Sequence, residues 1–199
     1  MPRLDPPGSN DARCYHYPMR ILIAAVVALL LAACSPEFDW REIRAVEHGW
    51  SALLPGKPVT MTRRIHLEAL EVPMTMHGAR VREAAFTVAV VDLPDDTPQT
   101  RAAVLAAMRA GMLRNIGATQ PQVSTAQAGV VDPGGASLGR ITVERVEASG
   151  TVQGRHTEML AGFAAEGRRA WQWVVIGPAL DREQASTFFD GFRVMRPAP

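Results

Sequence analysis

The segment Gly135-Ala136-Ser137-Leu138-Gly139 matches the G-x-S-x-G pattern of a nucleophilic serine. Hydrolases that use this pattern need a strand before the serine and a helix after it, because the sharp turn between them lifts the hydroxyl toward an oxyanion hole. In this chain a Pro-Gly stretch precedes Ser137, and a strand-like run, residues 140–143, follows it. We therefore predict no catalytic residue here and rank a hydrolase that uses this loop third among the functions considered.

Methionine and histidine side chains cluster on two strand-like runs, with Met61 on the first and Met74, Met76 and His77 on the second. Thioether sulfur and imidazole nitrogen are ligands that suit Cu(I). Neighbouring residues of a strand point to opposite faces, so Met76 and His77 share an ion only if a bulge at Gly78 turns the chain. We therefore predict that these methionines fill the core, and we predict no metal ligand and no cofactor.

The H-E-x-x-H and H-x₃₋₅-H spacings of zinc sites are missing among the later histidines, which are His48, His66, His77 and His156. His66 is expected opposite Glu71 across a hairpin, where the two side chains would form an exposed cross-strand pair. Zinc bound by His66, Glu71 and a third ligand is the alternative.

Arginine outnumbers lysine by twenty to one. Guanidinium binds phosphate through two parallel hydrogen bonds, so the composition could serve recognition of anionic headgroups. A GC-rich coding bias produces the same composition without any function, and this is the interpretation preferred from the sequence. The pairs to test are Arg63-Arg64 and Arg168-Arg169, the second of which is expected at a hairpin tip.

Residues 1–33 have the organisation of an export signal. Residues 21–33 form an unbroken apolar run that follows Arg20, and a helix of that length is roughly 20 Å long, shorter than the ~30 Å hydrocarbon core of a membrane. Such a run matches the apolar region of a secretory signal peptide. Residues 1–18 look like neither signal nor fold. We interpret them as a gene-start artefact, and both Met1 and Met19 remain candidate starts.

The end of this run, Leu31-Ala32-Ala33-Cys34, resembles the lipobox of bacterial lipoprotein precursors. The resemblance implies cleavage after Ala33 and attachment of lipid to Cys34. Because Ser35 rather than aspartate follows the cysteine, it also implies sorting to the outer membrane, with the protein on the periplasmic face. The alternative is an uncleaved anchor helix whose terminal cysteine is incidental.

Cleavage after Ala33 would leave a chain with equal numbers of basic and acidic side chains. This zero net charge argues against a nucleic-acid-binding protein. Cys34 would be the one remaining cysteine, so the folded domain has no disulfide. Residues 34–39 form the expected lipidated tether, and the part after Cys34 reaches only about 17 Å when extended. We expect the domain, residues 40–195, to lie close to the membrane, with a tail at 196–199.

Alternation of apolar and polar residues predicts a hairpin formed by residues 59–67 and 70–77, with its turn at Glu68-Ala69. On its apolar face the register pairs Met61 with Met76, Ile65 with Val72, and Leu67 with Leu70, and places Arg63 opposite Met74. A helix is predicted after Thr97 as N-cap and Pro98 as first residue. Its buried stripe is Leu105, Met108, Met112 and Ile116, and it ends at Gly117. The aspartates 92, 95 and 96 are explained by this helix start rather than by a calcium loop.

Further strands are predicted at residues 40–46, 50–54, 81–93, 140–148, 156–165 and 169–176, with a long loop at 118–139 and a last helix from Asp181. A three-residue turn would align Met159, Ala161 and Phe163 with Val175, Trp173 and Trp171. We expect both tryptophans to anchor the core, and an apolar groove is the alternative.

This order of elements predicts an α+β fold in which two helices pack against a mostly antiparallel sheet. The turn Pro55-Gly56-Lys57-Pro58 after a Trp-led strand, the segment Asp92-Leu93-Pro94, and the terminal Phe188-Phe189-Asp190-Gly191-Phe192 resemble the PsbP/Mog1-like α/β sandwich class over roughly residues 50–194. The resemblance implies a fold. It implies no single activity, because the class includes photosystem-associated, Ran-binding and envelope proteins.

The expected function is that of a membrane-anchored periplasmic lipoprotein with a non-enzymatic binding or structural role in the cell envelope. The membrane, reached through Cys34, and an envelope protein are the expected partners. The alternative is a module that binds a small apolar or lipidic ligand between sheet and helices, which a deep cavity near Trp171 or Met108 would favour.

Overall fold

The computed structural model describes residues 37–67 and 70–196. The signal segment, Cys34, the Glu68-Ala69 turn and the tail beyond residue 196 lie outside the described residues. From Phe38 onward the chain forms one compact unit.

Ten strands are present in the described residues: β1 (Arg41–Ala45), β2 (Trp50–Leu54), β3 (Val59–Leu67), β4 (Leu70–Val81), β5 (Ala84–Asp92), β6 (Gln122–Val131), β7 (Ser137–Val152), β8 (Arg155–Glu166), β9 (Arg169–Gly177) and β10 (Arg193–Met195). Two α-helices accompany them, α1 (Pro98–Ile116) and α2 (Arg182–Gly191), together with a short 3₁₀ helix, Val46–His48. Neither α-helix in the described part of the chain combines the length and apolar character needed to cross a membrane.

All ten strands belong to one sheet in the order β1-β2-β10-β6-β7-β8-β9-β5-β4-β3. The sheet is mixed, because β10 runs parallel to β6 while the other neighbours are antiparallel. The α+β fold predicted from the sequence is confirmed, with helices on both faces. Helix α1 covers one face through Val104, Met108 and Ile116, and α2 covers the other through Ala185 and Phe188.

The strand directions define two ends of the sheet. Strands β1, β3, β5, β6, β8 and β10 begin at one end, which we call the proximal end because the chain enters the domain there from residue 37. The opposite, distal end carries the turns that follow β1, β6 and β8. The proximal end carries the turns β4–β5 and β7–β8.

The predicted hairpin of β3 and β4 is confirmed, including its register from Leu67 opposite Leu70 to Met61 opposite Met76. The start of α1 is also confirmed. The Thr97 hydroxyl accepts a hydrogen bond from the Thr100 amide, Pro98 is the first helical residue, and Gly117 ends the helix in the left-handed conformation. The Asp95 carboxylate accepts hydrogen bonds from Thr97, as its predicted role at the helix start requires.

The loop predicted at residues 118–139 is wrong. Strand β6 occupies Gln122–Val131, and β7 begins at Ser137. The inward-facing residues of β6 include Ala126 and Ala128, whose small side chains give a weak alternation signal. The strand is held by pairing with β7 and with β10, and β10 comes much later in the chain, after both helices.

The register predicted for the last hairpin is wrong by one residue. The turn consists of Gly167 and Arg168 alone, so Trp173 lies opposite Gly162 rather than Ala161. A one-residue slip exchanges the two faces of a strand. The indoles of Trp171 and Trp173 therefore share a face with Leu160 and Ala164, and the missing side chain of Gly162 leaves room for the ring of Trp173.

The single strand predicted at residues 81–93 is also wrong at its start. Strand β4 continues to Val81, a turn follows at Arg82 and Glu83, and β5 begins at Ala84. Arg82 adopts a φ of 50°, a conformation more usual for glycine or asparagine. The sequence carries neither residue at this turn, so the pattern of turn-forming residues does not reveal it.

Candidate functional site

A cleft at the proximal end brings together the basic side chains of two turns. Its volume is about 410 Å³, and its lining includes Arg80, Arg82, Glu83, Arg155 and His156. We call it the arginine cleft. The β4–β5 turn and the strand end before it supply the first three residues, and the start of β8 supplies the other two.

The charge of the arginine cleft is unbalanced. Arg155 donates to Glu83 at 2.5 Å, and His156 lies 3.6 Å from Glu158. The side chain of Arg80 is exposed and makes no hydrogen bond or ion pair with any described residue. Three guanidinium groups thus line the cleft with one carboxylate among them. Arg155 is paired with Glu83 and Arg82 has an interaction of its own, so Arg80 is the guanidinium of the cleft that has no partner among the described residues.

The two turns that border the cleft have an unusual backbone. Within the described residues, Arg82 and Gln153 are the non-glycine residues with positive φ, each at 50°, and both line the arginine cleft. Tight two-residue hairpin turns favour positive φ, and glycine or asparagine usually occupies such positions. Arg82 thus adopts a backbone conformation that favours glycine, and its side chain is exposed.

The basic pair that the sequence singled out, Arg168-Arg169, lies at the distal end. It borders a larger open cleft of about 900 Å³, but its charges have partners in the fold. The Arg169 guanidinium is 3.1 Å from the Asp92 carboxylate, and Arg168 donates to the Leu93 carbonyl. Arg63 and Arg64, the other pair, are exposed on edge strand β3.

The distal cleft also includes Trp171, near which the alternative function expects an apolar cavity. The indole of Trp171 is only 3 % exposed, and its nitrogen donates to the His48 carbonyl at 2.9 Å. Charged residues, including Glu47, Glu166 and Arg196, line the same cleft. Trp173 is stacked on Phe192 with ring centroids 4.0 Å apart. Both tryptophans therefore anchor the core, as predicted.

Two histidines meet where the curled sheet brings β2 and β4 together. The rings of His48 and His77 are 5.5 Å apart, and the Trp50 indole lies 5.1 Å from His77. Thr60 Oγ1 is 3.0 Å from His77 Nδ1, whereas the buried Nε2 atom has no partner among the described residues. Burial lowers the pKa of His77, the charge of His48 lowers it further, and Glu47 raises it. This imidazole therefore favours its neutral form.

The positions of these histidines do not support the copper and zinc alternatives. Met76 packs on the α1 side of the sheet, while His77 contacts Trp50 on the other side. The pairing of β4 with β5 runs through Gly78 without a bulge. No three histidine, cysteine, aspartate or glutamate side chains of the described chain lie close enough together to hold a metal ion.

Ser137 lies at the first position of strand β7, next to the turn that follows β6. The segment after it is extended and pairs with β6, so the strand-to-helix elbow of a hydrolase nucleophile is not formed. The cleft around Ser137 includes Asp190, Arg140 and Arg193 but no described histidine.

No protein-family model matches the chain, and no curated protein matches it. The site must therefore be judged from its own geometry. The arginine cleft escaped sequence reasoning because Arg82 and Arg155 come from distant parts of the chain. The available signal was local, namely an arginine on each side of residue 81 at the end of a strand.

Proposed function

We propose that this chain is a lipoprotein of the bacterial cell envelope, anchored through Cys34 to the periplasmic face of the outer membrane, with a non-enzymatic binding or structural role. The lipobox-like segment motivates the anchor. One structural observation supports a domain held close to the membrane. The chain is already packed into the fold at Phe38, whose ring is stacked on Trp40 at 5.8 Å and meets Phe86 edge-on at 6.3 Å.

The packing of Phe38 and Trp40 limits the free tether. Trp40 also donates from its indole nitrogen to the Gln184 side chain at 3.2 Å, which links the start of the domain to α2. Only residues 35–37 separate Cys34 from the packed Phe38, so the extended tether spans about 14 Å. A domain held this close can act on the membrane surface or on partners beside it.

The non-enzymatic role is supported by the kind of groups that the clefts present. Catalytic sites combine a nucleophile or a general acid and base with a positioned partner. The charged groups of the arginine cleft are mainly guanidinium groups, which bind anions well and transfer protons poorly, and His156 is the one imidazole in its lining. Ser137 lacks the elbow geometry that a hydrolase would need.

For the finer fold assignment we propose the PsbP/Mog1-like sandwich. The support is a sheet with one helix on each face and the terminal aromatic segment packed inside, where Phe188 and Phe192 are buried. An experimental structure with a different strand order would overturn this assignment.

The anchor is tested by fractionating cells that express the full chain or Cys34→Ala. We expect the unsubstituted chain in the outer membrane and the variant in the aqueous fraction. Cys14→Ala is the matched control, because this cysteine lies in the part that cleavage would remove, and it should fractionate like the unsubstituted chain. Membrane retention of Cys34→Ala would contradict the lipid anchor and favour the spanning helix.

A further inference from the structure

We infer that the arginine cleft binds the phosphate groups of anionic lipid headgroups and thereby docks the proximal end of the domain onto the membrane that anchors it. The inference rests on the proposed lipid anchor and adds a ligand class, a surface and an orientation. Its premise is that the cleft and the point of chain entry lie at the same end of the sheet.

Strand directions establish this placement. The chain enters through Phe38 and Trp40 into β1, which begins at the proximal end. Both aromatic rings contact the ring of Phe86, which lies near the start of β5. The turn that precedes β5 carries Arg82, so the tether and the arginine cleft emerge at one end of the sheet.

The chemistry of the cleft fits phosphate. Guanidinium groups bind phosphate oxygens through paired hydrogen bonds and remain charged at all relevant pH values. Arg80 has no partner among the described residues and is therefore available to a ligand. Arg82 lies at a tight turn and has an interaction of its own, but it is exposed, so a membrane surface can still reach it. An apolar ligand would gain nothing from these groups.

The tether makes weak binding sufficient. Each arginine near an anionic membrane surface contributes a modest attraction, equivalent to about five-fold in a binding constant. A tether of about 14 Å keeps the cleft permanently near the headgroups, so the second contact forms at high effective concentration. A few arginines can then fix an orientation that they could not maintain from free solution.

Two substitutions remove positive charge from the cleft. Arg82→Gly suits the positive φ of the turn, because glycine adopts this conformation without strain. Arg80→Gln replaces an exposed side chain that has no partner among the described residues. The matched control is Arg63→Gln with Arg64→Gln, which removes the same charge from exposed positions on β3, away from the cleft.

Docking is measured with the acylated protein reconstituted into vesicles. The mature chain would have no other cysteine beyond Cys34, so a fluorophore can be attached at Ala179→Cys beside the cleft or at Ala136→Cys at the distal end, both of which are exposed. The readout is quenching by a lipid with a headgroup quencher. The vesicles are phosphatidylcholine, with or without phosphatidylglycerol.

We expect quenching at position 179 that requires phosphatidylglycerol, with much less at position 136. The docking constant is the ratio of docked to undocked protein obtained from the quenching. It should fall about five-fold for each of Arg80 and Arg82 removed and stay unchanged in the Arg63/Arg64 control. Equal quenching at both positions would overturn the inference. An equal decrease of the docking constant in the cleft variants and in the Arg63/Arg64 control would also overturn it.

Two further results separate the possible sources of failure. Inorganic phosphate that stabilises the protein through Arg80 and Arg82, without any phosphatidylglycerol-dependent quenching, would mean that the cleft binds a soluble phosphate, and would overturn membrane docking. The mass of the Cys34 peptide is measured in the same sample. An unacylated Cys34 would overturn the proposed anchor, and the inference would fall with it, whereas acylated protein without docking overturns the inference alone.

Discussion

The imidazole of His77 meets the indole of Trp50 edge-on at 5.1 Å, although β4 and β2 lie close to opposite edges of the ten-stranded sheet. The sheet is therefore curled around the core that contains Trp50, Phe86 and Phe188. His77 forms part of the contact that closes the curl. A protonated imidazole at this point would be buried against aromatic rings.

This contact predicts a loss of stability in mild acid. Because burial lowers the pKa of His77 in the folded state below its ordinary value of 6.5, the unfolded chain binds the proton more readily. Stability is then full above the unfolded pKa and is lost as the pH falls below 6.5 toward the folded pKa. Urea unfolding measured from pH 8 to pH 5 should show this slope. His77→Gln should flatten it, and His66→Gln, at an exposed position, should not. An unchanged slope in His77→Gln would contradict the assignment.

Two glycine substitutions should change stability in opposite directions. A β-carbon at Gly162 would overlap the indole ring of Trp173, and we expect Gly162→Ala to cost about 1–3 kcal/mol through overpacking. A β-carbon at Gly111, inside α1, would meet only the Arg114 guanidinium, in ordinary contact at 3.9 Å, so Gly111→Ala should stabilise the fold by about 0.5–1 kcal/mol. Both predictions are tested by measuring the free energy of unfolding of each variant. A neutral Gly162→Ala would show that the indole packs elsewhere.

The serine of the G-x-S-x-G segment is predicted to be unreactive. Ser137 begins β7 and is followed directly by extended strand rather than by a helix, so the strand-to-helix elbow that exposes a nucleophilic serine is not formed there. A fluorophosphonate probe should label the native protein no more than it labels Ser137→Ala. Labelling that depends on Ser137 would restore the hydrolase function.

The residue after the lipid cysteine should control sorting. Under the proposed anchor, Ser35 favours the outer membrane, and Ser35→Asp should retain the acylated protein in the inner membrane. Density-gradient separation of the two membranes measures this, with Ser35→Thr as the conservative control. Equal distribution of both variants would count against outer-membrane sorting.

Local pattern was sufficient where neighbouring residues decide the structure. The register of β3 and β4 follows from alternation along one continuous stretch of chain, and the start of α1 follows from the side chains of Thr97 and Pro98. Strand β6 could not be predicted in this way, because alanine and glycine weaken its alternation and distant β10 supplies one of its partners. The β8–β9 register depended on how close Gly162 allows Trp173 to come, which only the packed core shows.

The arginine cleft lay beyond local pattern for a related reason. Glu83 and Arg155 form its central ion pair although they are far apart in the sequence. Only the sheet order, in which β9 separates β5 from β8, brings the two turns to one end. Composition revealed the abundance of arginine, and the fold determined that Arg80 has no partner among the described residues.

The mass of the N-terminal peptide of the protein purified from membranes tests the proposed lipid anchor most directly. Under the proposed anchor, we expect a peptide that begins at Cys34 and carries a diacylglyceryl group on sulfur. A peptide that continues through Ala33 into an unmodified Cys34 would contradict it.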